Sequence, residues 1–151
     1  MGRLLLVIVV LGVGLWLFGP YEPAELAVDF DEDQLSAGAD AYFAAQEARF
    51  DDITPGVQKQ VIWASKGGSE TRWSILYVHG FSATSQEIRP VPDEVAVALG
   101  ANLVFTRLAG HGRPGAALAD VTVNDWMRDV AEGLAIAREA GEQVLVISAG
   151  S

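Results

Sequence analysis

Three short stretches hold the residue types and spacings that could do chemistry. They are His79-Gly80-Phe81-Ser82, Arg107-Leu108-Ala109-Gly110-His111-Gly112 and Ser148-Ala149-Gly150-Ser151. Each combines glycine with polar side chains. Glycine lets a backbone turn sharply and approach a ligand closely. Serine hydroxyls are candidate nucleophiles once a base activates them, and histidine is the usual base. The two histidines, His79 and His111, have no metal-ligand spacing and no adjacent Cys or carboxylate cluster, so no metal site is expected. The chain has no cysteine, which excludes disulfides, thiolate metal sites and Cys nucleophiles.

Each stretch follows an apolar run. Trp73–Val78 (WSILYV), Asn102–Thr106 (NLVFT) and Val144–Ile147 (VLVI) read as strands covered on both faces. Helical patterns separate them. Pro92–Leu99 has Pro near its first position, Asp93 and Glu94 in its first turn and Gly100 beyond its end. Thr122–Ala140 opens with the capping-box form, although with Asp125 in place of Glu or Gln, and Gly141 stops it. Trp126, Val130, Leu134 and Ala137 form its apolar stripe, which makes Trp126 a core residue. The order strand–helix–strand–helix–strand predicts an α/β fold: a mostly parallel sheet, right-handed crossovers and helices on both faces. Ligands then bind off the carboxyl ends of the strands, where the three turns lie.

The front of the chain differs in character. Leu4–Phe18 is apolar, broken only by Gly12 and Gly14, with Arg3 before it and Gly19-Pro20 after it. Residues 1–20 therefore read as a transmembrane or signal-anchor helix. A cleaved signal peptide with secretion, and a buried core helix, are the alternatives. Arg3 on the short side places the remainder on the non-cytoplasmic side. Residues 21–56 hold ten of the twenty acids, from Glu22 to Asp52, with Arg49 the only base among them. They read as an acidic linker followed by a helix over Leu35–Phe50, a solvated spacer repelled by anionic headgroups. Residues 57–151 form the remaining domain and open with a strand over Val57–Ala64. The net charge of −10 argues against a nucleic-acid partner.

The motifs YVHGF (Tyr77–Phe81), TRLAGHG (Thr106–Gly112), DW (Asp125-Trp126) and VLVISAGS (Val144–Ser151) resemble the α/β-hydrolase family, in particular its esterases and monoacylglycerol-lipase-like members. The resemblance covers Trp73–Ser151, about half the chain, and is to the N-terminal portion of that fold. It implies that the Phe81 N–H serves an oxyanion hole, with His79 and Gly80 shaping the turn. Gly110, His111 and Gly112 become structural residues near the site, with substrate contact or a base role for His111 as alternatives. The family's nucleophile sits on a G-x-S-x-G turn after a buried strand. Here Ser151, preceded by Ala149 and Gly150, takes that place. Ser148, or no nucleophile at all, is the alternative. The family's acid and base follow the nucleophile, so the chain reads as an incomplete piece that is itself inactive. The implied function is a membrane-anchored serine hydrolase of carboxylic esters, with lipid-derived esters as one candidate class, needing no cofactor. A non-catalytic tethered binding module is the competing reading.

Overall fold

The computed structural model describes residues 2–25 and 27–150. In chain order its helices are α1 (Gly2–Phe18), α2 (Ala39–Glu47), α3 (Val91–Leu99) and α4 (Val123–Ala140). Its strands are β1 (Gln60–Ile62), β2 (Thr71–Val78), β3 (Asn102–Phe105) and β4 (Gly141–Ser148). They form one open sheet in the order β1-β3-β2-β4. β2 pairs in parallel with β3 and β4, and β1 pairs antiparallel with β3.

Alternation along β2 and β3 divides the core into two layers. Leu76 and Val104 face one side, packed with Ile136, Ala137 and Ala140 of α4 and Phe43 of α2. Ile75, Tyr77, Leu103 and Phe105 face the other, where α3 lays down Ala96. Helices thus cover both faces, as the apolar runs require. β3 and β4 lie on opposite sides of β2. Crossovers of one hand must then pass over opposite faces, which places α3 and α4 on opposite sides of the sheet.

α4 comes very close to the sheet. A Cβ on Gly133 would lie 2.9 Å from Leu76 Cδ1, and one on Gly141 would lie 2.6 Å from the Ser74 amide nitrogen. Thr122 and Asp125 form the reciprocal capping box. The buried face of α4 is Gly133, Ile136, Ala137 and Ala140, with Glu132 and Ala135 beside it. This corrects the stripe read through Trp126 and Val130, which are half-buried. The reason is the tight approach at Gly133, which turns the small residues toward the sheet.

Three further expectations need correction. The helix expected over Leu35–Phe50 is a 3-10 turn at Glu32–Leu35 followed by α2, interrupted at Gly38 with φ 88°. This segment is not a solvated spacer. Leu35, Ala39 and Phe43 are buried in the core, and Glu47 is ion-paired inside it. β4 is not buried: Leu145 and Val146 are exposed, because among the described residues only β2 flanks it. Finally, α1 has 17 residues, and no helix among the described residues is long and apolar enough to cross a membrane. Gly19-Pro20 ends it, so at 1.5 Å per residue it reaches only about 25 Å against a hydrocarbon core of about 30 Å.

Candidate active site

The chain leaves β2 toward β3 on one side and returns to β4 on the other. The carboxyl ends of β2 and β4 therefore flank the point where connections diverge, the usual position of a ligand crevice in such sheets. The segments after these two strands touch. Ala149 N–H donates to Val78 O at 3.2 Å. A Cβ on Gly80 would come within 2.7 Å of Ala149 O, so only glycine fits there without displacing the second segment.

His79 is buried at the end of β2. Its Nε2 accepts the Leu108 N–H at 3.1 Å, which leaves Nδ1 to carry the proton and donate to Gly80 O at 3.0 Å. Burial pushes its pKa below the ordinary value. Gly80 N–H donates to Glu87 Oε2 at 3.2 Å, and Tyr77 OH donates to the same oxygen at 3.2 Å. Burial, reinforced by Glu87, raises the Tyr77 pKa to about 12, so this hydroxyl stays a donor. Ser82 adopts the left-handed conformation, φ 61°, and its N–H donates to His111 Nε2 at 3.1 Å. Between these engaged amides, the Phe81 N–H has no acceptor among the described residues. The Phe81 ring is exposed and packs edge-on against His111 and Trp126, each 6.0 Å away.

The loop after β3 is pinned from beneath. His111 Nδ1 lies 3.0 Å from Ala109 O, which also accepts from Trp126 Nε1 at 3.0 Å. Asp129 accepts the Ala109 N–H at 2.6 Å. Lys59 bridges Asp129 at 2.8 Å and Glu132, and Tyr42 OH donates to Glu132 at 2.9 Å. Arg107 pairs with Glu47 through two bonds, of 2.7 and 3.0 Å, and donates to His111 O at 3.0 Å. Gly110 and Gly112 take positive φ values of 76° and 67°. A Cβ on either would come within 2.8 Å of a neighbour: Ala117 O and Leu118 Cδ2 at Gly110, Val57 Cγ2 at Gly112.

His79, Gly80, Phe81, His111 and Ala149 are thus gathered at one place. Ser148 ends β4 in register with Val78, so it lies in a paired strand rather than on a turn. Ser151 lies outside the described residues. The sequence singles out neither Glu87 nor Asp129, and its periodicity assigns Trp126 to the core. Spacing alone carries no signal for Glu87 or Asp129, because their partners depend on tertiary placement. The DW pair gave Trp126 its only hint.

This arrangement defines an open α/β sheet with the segments after β2 and β4 side by side at its carboxyl edge. No family model matches the chain. It is 32% identical over 72 residues to a thermostable monoacylglycerol lipase of Bacillus sp. (strain H-257), covering 48% of this chain and 28% of that lipase. A solved structure from work on LipS and LipT, two metagenome-derived lipolytic enzymes, superposes with a TM-score of 0.55 at 25% identity. That match covers 64% of this chain and 36% of the solved one. The comparisons support an α/β-hydrolase family of the esterase and lipase-like kind over part of the chain. The chain spans about a third of the length of the relatives it matches.

Proposed function

We propose that this chain supplies the oxyanion-receiving half of a serine hydrolase of carboxylic esters, with lipid-derived esters as its substrates. The observation that carries this reading is the unengaged Phe81 N–H, held between two engaged amides beside the segment that follows β4. Acyl transfer builds negative charge on the carbonyl oxygen. One preorganised donor aimed at it lowers the barrier by about 2.7–4 kcal/mol. His79 and Gly80 shape the turn, and Gly110, His111 and Gly112 support it. Ser151 is the nucleophile, following Ala149-Gly150.

On this reading neither histidine is the base. The chain has two, and in both Nε2 already accepts a backbone N–H. On this reading a base and its acid partner must be supplied in addition to these residues. On this reading the chain alone turns over no ester, and any longer protein that joins it to a base and an acid does. A fluorophosphonate probe tests this: the longer protein should label and lose labelling in Ser151→Ala. Labelling that survives the substitution overturns the nucleophile, and labelling of the 151-residue chain overturns its inactivity.

A non-catalytic binding module on the same fold has one observation in its favour: Ser148 is held in β4 and Gly150 follows it, off the family's register. An ester that binds the longer protein with no probe labelling would favour that reading. We also propose that α1 tethers the domain to a membrane, on the non-cytoplasmic side. The apolar length of α1, charged only at Arg3, supports an insertion that stops short of crossing. Protease protection in sealed vesicles tests the side.

A further inference from the structure

We infer that α1 buries itself in the acyl layer of a neutral bilayer, and that a two-residue clasp turns the mouth of the site toward that bilayer. This rests on the tethering proposed above and adds an orientation to it. The clasp lies just after α1. Glu22 Oε1 accepts the Val123 N–H at 2.8 Å, at the first residue of α4. The Glu25 N–H donates to Asn124 Oδ1 at 2.8 Å. Both bonds fall at the N-terminus of α4, which is the carboxyl edge of the sheet, because α4 descends from the loop after β3. A carboxylate there is doubly favoured: it satisfies an N–H that has no partner within the helix, and it meets the positive end of the helix dipole.

Trp126 is one turn further along α4 from Val123 and packs on Phe81. The stretch joining α1 to the domain is therefore fastened beside the oxyanion turn, not at the opposite edge where Gly141 begins β4. Phe81 is two-thirds exposed on that same edge.

The occupant follows from the helix. Among its 17 residues only Arg3 is charged, none is buried, and apolar side chains project on every face. A helix that is apolar all round is buried in a large protein core or in lipid, and the rings and charges at the end of α1 favour lipid. Trp16 and Tyr21 stand at its far end, where amphipathic rings favour the headgroup level. Glu22, Glu25, Asp29, Asp31, Glu32 and Asp33 follow, and this charge repels anionic headgroups, which selects a neutral surface.

The chain has no cysteine, so single labels can be placed cleanly. Ala116→Cys lies exposed in the loop after β3, on the carboxyl edge, and Glu142→Cys lies exposed at the opposite edge. Each variant of the whole chain carries a fluorophore and is mixed with phosphatidylcholine vesicles bearing headgroup quenchers. The expected result is flotation with the vesicles and several-fold stronger quenching at position 116 than at 142. Adding Glu22→Ala with Asn124→Ala should bring the two labels to equal quenching while flotation is unchanged. Flotation with equal quenching before the clasp is removed overturns the orientation and leaves the tether standing. A quenching difference that survives the double substitution overturns the clasp. Failure to float, with sedimentation as a dimer through α1, overturns the tether and the orientation together.

Discussion

Replacing Glu47 by alanine should strongly destabilise the fold, although Glu47 lies in the acid-rich stretch ahead of the sheet. Its side chain is 10% exposed and that of its partner Arg107 is 4% exposed. The substitution removes both Arg107 bonds and the acceptor of the Lys59 N–H, which lies 3.0 Å from Glu47 Oε2. Breaking a buried pair by deleting one partner leaves an uncompensated charge and costs about 3–5 kcal/mol. At about 1.4 kcal/mol per factor of ten, that is roughly two to four powers of ten in the folding equilibrium. A domain of this kind holds about 5–15 kcal/mol in all, so the loss is visible in a urea titration with an unchanged slope. Glu47→Leu with Arg107→Met should recover most of it, because an apolar pair of similar volume removes the stranded charge. Recovery stays incomplete: the Lys59 N–H and His111 O lose partners, at about 1–3 kcal/mol for a buried orphan. A loss below about 1 kcal/mol in Glu47→Ala, the range of exposed ion pairs, would refute the placement of the end of α2 against the loop after β3.

Three other outcomes follow from the same structure. His79 should titrate with a midpoint below about 6.5, its ordinary value, because burial disfavours the imidazolium. Its contribution to stability is then full above that value and lost as pH falls through the folded midpoint; an imidazole NMR titration centred above 6.5 would contradict it. Thr122→Ala should cost about 0.5–2 kcal/mol by thermal or urea unfolding. It should also raise the Asp125 pKa toward the ordinary range, since the Thr122 hydroxyl is the main cause of its depression, and an unmoved Asp125 titration in NMR would count against the capping box. Gly80→Ala should cost about 1–3 kcal/mol, as overpacking typically does, and shift the Ala149 and Gly150 amide resonances. Unshifted resonances there would mean that the two segments do not touch.

Much of the architecture was legible because its signals are local. WSILYV and NLVF are short apolar runs, and both became central strands flanked on each side. Gly100 ends α3 with φ 60°, a stop that the residue type alone announces. What was illegible depended on distant partners. Phe43 and Glu47 lie among acids, and nothing local says that one meets the sheet core and the other a guanidinium 60 positions on. VLVI has the composition of a buried strand, yet burial belongs to the neighbours, and among the described residues β4 has a single strand beside it. Trp126 was read into a helix stripe, but Gly133 brings α4 so close to the sheet that the stripe rotates and leaves the indole over Phe81 and His111.

The two histidines show how far a site can be read from residue types. Both stand in glycine turns at strand ends, where a general base would be sought. A base needs a nitrogen lone pair within reach of the proton it takes. In His79 and His111 that lone pair already receives the amide of the next turn over: Leu108 for one, Ser82 for the other. The exchange stitches the turn after β2 to the loop after β3 in both directions, with the rings 4.9 Å apart. This stitching holds Ser82 in its left-handed conformation and keeps its amide occupied, which leaves the neighbouring Phe81 amide as the donor without a partner. On the proposed reading the histidines contribute to such a site by occupying the amides of Leu108 and Ser82, so that the Phe81 N–H stays open.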